Sequence, residues 1–109
     1  MAERAHFEAS AVELIESRLA TIRNLTFAEA AVLPETQAEK IRVDGVDAHI
    51  TIFRQVSPYQ LEGRVLVVVQ FARPRLLGMM SEHIERGLVF SPNEPTRGAT
   101  ELELQNSGG

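Results

Sequence analysis

Three histidines, His6, His49 and His83, are the side chains whose ordinary pKa lies nearest neutrality, so they bound the proton and metal chemistry open to this chain. No two stand at the i, i+4 spacing of a metal-binding helix face, and no His-Glu-x-x-His pattern occurs. Cysteine is absent, which removes thiolate metal sites, iron–sulfur clusters, disulfide scaffolds and cysteine nucleophiles together. There is no Gly-x-Ser-x-Gly nucleophile elbow, and Gly87 and Gly98 stand alone rather than in a phosphate-cradling loop. Thirteen glutamates offer many carboxylate pairs, but glutamates crowd solvated helix surfaces routinely and no pair is singled out as acid and base. The sequence therefore assigns no catalytic residue, no metal ligand and no cofactor.

Two constellations remain. In Phe71-Ala72-Arg73-Pro74-Arg75 an apolar strand hands over to a helix between two arginines. A helix N-terminus flanked by Arg73 and Arg75 could hold a carboxylate or phosphate, although pairing of both with surface glutamates explains them as well. The second constellation is a mixed face of Lys40, Arg42, His49, Thr51 and Phe53. A phenylalanine among cations suits a partner-binding surface, or is covered by Phe27 and its neighbours.

These residues depend on the elements that carry them. Ala11, Ile15, Leu19 and Ile22 recur at helical spacing, which predicts a helix over residues 7–23, with glutamates toward its start and arginines toward its end. Residues 25–34 fit a short helix capped by Thr26 and stopped by Pro34, or an edge strand. Two alternating runs around Asp44-Gly45 predict a hairpin with Val43 opposite Val46, Arg42 opposite Asp47, Ile41 opposite Ala48, Lys40 opposite His49 and Glu39 opposite Ile50. Its core face is then Ile41, Val43, Val46, Ala48, Ile50 and Ile52. A third strand over 64–72 is apolar on both faces, so Leu66 and Val68 need a cover from the same domain or from a second subunit.

Pro74 suits the first turn of a second helix over 74–86, with Leu77, Met80 and Ile84 inward and Gly87 as its stop. Thr100 and Glu103 have the spacing of a capping box for a short terminal helix, and the same stretch would also serve as an edge strand. The order is that of a single α+β domain over 1–109. It predicts an antiparallel meander of three to four strands, with an N-terminal helix and a second helix after the last main strand packed on one face, and 91–109 as an irregular tail.

With 109 residues, the chain buries roughly two-thirds of its unfolded surface, enough for a core without disulfides. Hydrophobic content of 44% and charged content of 24% exclude a disordered chain. The longest apolar run, 65–69, is far short of a membrane helix. A net charge of −4 argues against nucleic acid. Lys40 is the only lysine among eleven basic residues, which reads as codon bias in a GC-rich bacterial genome. With no basic segment leading into an apolar stretch at the N-terminus, a cytoplasmic protein is expected. Gly108-Gly109 is similar to the ending of ubiquitin-like proteins and sulfur carriers in two residues only, and those open with a hairpin where this chain opens with a helix.

The functional expectation is a non-enzymatic interaction or accessory module that self-associates as a dimer or docks a protein partner. Its candidate surface is Lys40, Arg42, His49, Phe53, Leu66 and Val68. The alternative is a small-molecule-binding or enzymatic domain with a pocket between helix and sheet, its mouth lined by Tyr59, His49, Arg73 and Arg75.

Overall fold

A computed structural model describes residues 2–43, 45–56, 63–74 and 81–106. Helix α1 (Ala2–Arg23) begins the chain, and the short α2 (Phe27–Ala31) follows. A meander of β1 (Thr36–Val43), β2 (Val46–Val56), β3 (Val65–Pro74), β4 (Ser81–Phe90) and β5 (Arg97–Gly98) comes next, and α3 (Glu101–Asn106) closes it. The sheet is antiparallel with spatial order β1-β2-β3-β4-β5. This is the expected α+β antiparallel meander with an N-terminal helix; it has five strands where three to four were expected, and a short helix follows the last of them.

The hairpin has the predicted register, and the β1–β2 pairing extends it to Thr36 opposite Phe53. Gly45 sits at φ 79°, the left-handed conformation that a two-residue hairpin turn requires. Nothing lies within 4 Å of where its Cβ would be, so substitution there is penalised by the backbone alone. Gly45→Val is expected to lower stability by about 1 kcal/mol or more, because a β-branched residue resists positive φ. Thermal unfolding reads this directly; an unchanged midpoint would mean the turn is not of this type.

Residues 27–31 resolve to helix rather than strand because Thr26 and Glu29 form a complete capping box. The Glu29 amide donates to Thr26 Oγ1 at 3.1 Å, and the Thr26 amide donates to Glu29 Oε1 at 2.9 Å. Two of the orphan donors at the helix start are thereby satisfied locally.

Residues 81–86 differ from expectation. They open β4, and Pro74 belongs to β3; residues 75–80, with Leu77 and Met80, lie outside the described residues. The physical reason is long-range. β3 is apolar on both faces and central, so each of its edges needs a strand to satisfy its N–H and C=O groups. β4 supplies that along ten residues, placing Ile84 opposite Phe71, Leu88 opposite Val67 and Phe90 opposite Val65.

Alternation along β2, β3 and β4 builds a core on each side of the sheet. On one face Ala11, Ile15, Leu19 and Ile22 of α1 and Ala30 of α2 pack on Ala48, Ile50, Val65, Val67, Val69, Phe71, Leu88 and Phe90. An ion pair of 3.0 Å between Arg18 and Glu39 ties α1 to β1. On the other face Leu66, Val68 and Val89 form a smaller cluster with Phe53, Ala99 and Leu104. The helices therefore divide between the faces, α1 and α2 on one and α3 on the other, rather than sharing one. The two-sided apolar character of β3 demands this division.

Candidate functional site

The register of the sheet arranges the outer face, the one away from α1, in rows. Lys40, His49, Ala72 and His83 form one row across four strands, and Ala38, Thr51, Gln70 and Glu85 the next. His49 and His83 are both exposed and flank Ala72 from the strands on either side, which spaces their backbones by about 10 Å. Gln70 Nε2 donates to Glu85 Oε1 at 2.8 Å, and Arg42 pairs with Asp47 across the hairpin at 3.7 Å. Arg42 and Glu85 thus meet partners within the face. Among the described residues no group of three or more His, Asp or Glu side chains is placed to hold a metal ion.

Farther along the same face the surface is covered. Leu66 and Val68 were expected to offer an apolar interface, but both are buried within the single chain, at 1% and 0% exposure. The cover is the C-terminal segment itself, with Ala99 and Leu104 lying on the cluster and Phe53 half-buried at its border. The Ala99 amide donates to the Gly87 carbonyl at 2.8 Å. Thr100 and Glu103 form the expected capping box, with the Glu103 amide donating to Thr100 Oγ1 at 3.2 Å and the Thr100 amide to Glu103 Oε1 at 2.9 Å. Arg97 grips both Glu103 oxygens through two 2.8 Å bonds, a fork that fits a carboxylate in both charge and shape. Gly87, expected as a helix stop, has a different role in β4. A Cβ there would come within 3.1 Å of Leu104 Cδ2, 3.1 Å of the Val67 carbonyl oxygen and 3.2 Å of Ala99 Cβ.

The Arg97 guanidinium holds the Glu103 carboxyl down at about 2 from an ordinary 4.5; partial burial opposes this, and the Thr100 amide assists. Glu103 in turn raises the Arg97 pKa. Because the folded state lowers the carboxyl pKa, this clamp is fully present above about 4.5 and is lost as pH falls toward about 2. The Ala99 amide should accordingly lose several-fold of its hydrogen-exchange protection, corrected for intrinsic rate, between pH 5 and pH 2.5. Amides in the middle of β3 should lose less. Equal loss at both places would show that the clamp does not hold the C-terminal segment separately.

The expected anion site lies partly outside the described residues, and the expected pocket mouth is not brought together. Arg73 lies near the end of β3, opposite Glu82 of β4. Arg75 and Tyr59 lie outside the described residues. His49 pairs with Ala72, so it shares the outer face with that residue, whereas Arg73, one position along, belongs to the face that carries α1. Successive residues of a strand point to opposite sides, and His49 and Arg73 cannot converge on one cleft between α1 and the sheet.

Sequence reasoning leaves the sheet with two unfinished edges and does not say which strand ends it. β1 was expected from Lys40; it begins at Thr36 and is the terminal strand of the sheet, exposed from Thr36 through Lys40. The opposite edge differs, because β5 closes β4 at Leu88 and Val89. Polar residues before Lys40 carry too little alternating apolar pattern to announce a strand; the length of the facing strand β2 was the available signal. No helix among the described residues is long and apolar enough to cross a membrane. Compared with protein families, curated proteins and solved structures, the chain matches none.

Proposed function

We propose that this chain is a non-enzymatic interaction module that self-associates, serving as an accessory protein in the cytoplasm of a bacterium. The observation that carries the reading is the open edge of β1, eight residues long and exposed over most of its length. A strand edge presents unpaired N–H and C=O groups in a row, and backbone pairing with another strand satisfies them without any side-chain machinery. The polar outer face beside it, with Lys40, Arg42 and His49, supplies a rim around that edge. Leu66, Val68 and Phe53 belong to the interior cluster and are not part of the contact surface in this reading.

Sedimentation velocity over a wide concentration range tests the reading on the intact chain. The expected result is a reversible shift toward twice the 12.1 kDa chain mass as concentration rises. A species that stays at the chain mass throughout overturns it.

A further inference from the structure

The phase of the β1–β2 ladder shows which groups the edge offers. The Arg54 amide donates to the Glu35 carbonyl at 3.0 Å, just beyond the end of β1 and in line with its register. Antiparallel ladders alternate bonded and non-bonded pairs. Residues 37, 39, 41 and 43 therefore exchange bonds with β2, and Thr36, Ala38, Lys40 and Arg42 turn their amides and carbonyls outward.

Resting on the self-association reading above, we infer that β1 pairs antiparallel with β1 of a second copy about a two-fold axis through Ala38. A closed two-fold pairing of edges keeps like faces together, so the strand's own sequence decides the register. An axis at Gln37 sets Glu35 against Glu39. At Glu39 it sets that carboxylate against its own copy, and at Lys40 it does the same to the ammonium. At Ile41 it sets Lys40 against Arg42, and at Arg42 the guanidinium meets itself. Like charges directly opposite each other in a sheet are destabilising. At Ala38 no like charges meet. Thr36 stands opposite Lys40, and the Gln37 amide faces the Glu39 carboxylate.

The smallest side chain of the exposed stretch then lies on the axis, and the three bonded pairs (Thr36 with Lys40, Ala38 with Ala38, Lys40 with Thr36) supply about six backbone hydrogen bonds. The edge charges that usually discourage strand pairing here reject the registers on either side of Ala38, and an axis at Thr36 would set Ala38 against Pro34, which has no amide to donate. A strand that meets no like charge and sets the Gln37 amide against Glu39 when paired with its own copy is fitted to a second copy as the occupant.

The absence of cysteine makes the test clean. In a bonded antiparallel pair the two Cα atoms stand about 5.5 Å apart, inside the range a disulfide spans. Ala38→Cys is expected to give a disulfide-linked dimer on mild oxidation at least about tenfold faster than Lys40→Cys, whose two copies the register sets well beyond disulfide reach. Ala38→Pro removes an outward amide that β2 does not use, so it should leave the circular dichroism unchanged and abolish the shift in sedimentation. A dimer of the unaltered chain whose Ala38→Cys form does not cross-link faster than Lys40→Cys overturns the register and leaves self-association standing. An unaltered chain that remains monomeric overturns both. A dimer that survives Ala38→Pro, in a protein of native circular dichroism, places the contact elsewhere.

Discussion

Val68→Arg is expected to damage the fold itself rather than convert a dimer to monomers. Val68 is fully buried, with Phe53 and Gly87 beside it in the neighbouring strands and Leu66, Val89, Ala99 and Leu104 in the same apolar cluster. Glu85, a carboxylate one row away on this face, is already bonded to Gln70. A guanidinium placed there must either remain unpaired in apolar surroundings or push the C-terminal segment off the sheet to reach water. Leaving a buried charge unpaired costs about 3–5 kcal/mol, a large part of the 5–15 kcal/mol that holds a typical domain folded. Urea unfolding should show a midpoint far below that of the unaltered chain, or no soluble protein at all. Glu13→Ala, on the exposed side of α1, should leave the midpoint within about 0.5 kcal/mol of its starting stability. A soluble Val68→Arg protein with the original midpoint would mean that the C-terminal segment does not cover this face.

Gly87→Val should act on the same face by a different route, loosening the cover while the α1 side of the core stays packed. The added Cβ meets a backbone carbonyl, that of Val67, which cannot move without disturbing the β3–β4 ladder, as well as Ala99 and Leu104 above it. Overpacking of this kind costs about 1–3 kcal/mol. The less constrained side should yield first, which is the segment held by the single bond from Ala99 to Gly87, the two-residue β5 and the Arg97–Glu103 fork. The expected result is a folded protein that binds a hydrophobic dye and has lost exchange protection at Ala99, with protection retained at Val67 and Val69. Dye binding no greater than that of the unaltered chain, together with an unchanged midpoint, would show that Gly87 has room to spare. Gly87→Ala should fall between the two, since it adds only the Cβ.

These two substitutions bear on how the surface readings changed. Leu66 and Val68 were legible as a problem, an apolar second face that something must cover, but the identity of the cover was not. Leu104 lies more than thirty residues away in sequence, and its approach depends on Gly87 lacking a side chain. His49 was legible as a resident of the polar face of the hairpin, because alternation around Asp44-Gly45 leaves no other place for it. Its separation from Arg73 was not, since that requires the pairing of β2 with β3.

What the residues alone determined is local. The Asp44-Gly45 turn and the alternation on either side of it dictate a register to the residue, and the Thr26–Glu29 and Thr100–Glu103 boxes mark two helix starts. The repeat of Ala11, Ile15, Leu19 and Ile22 sets the buried face of α1. Each of these is an interaction between residues close in the chain, or a periodicity that a single amphipathic element must obey. Only the tertiary structure decided that 81–90 is a strand, that α3 crosses to the far face, and that β1 ends the sheet with its edge open. In those three cases the competing local preferences are weak and nearly balanced. The outcome follows from where β3, apolar on both sides, finds partners for its two edges and cover for its two faces.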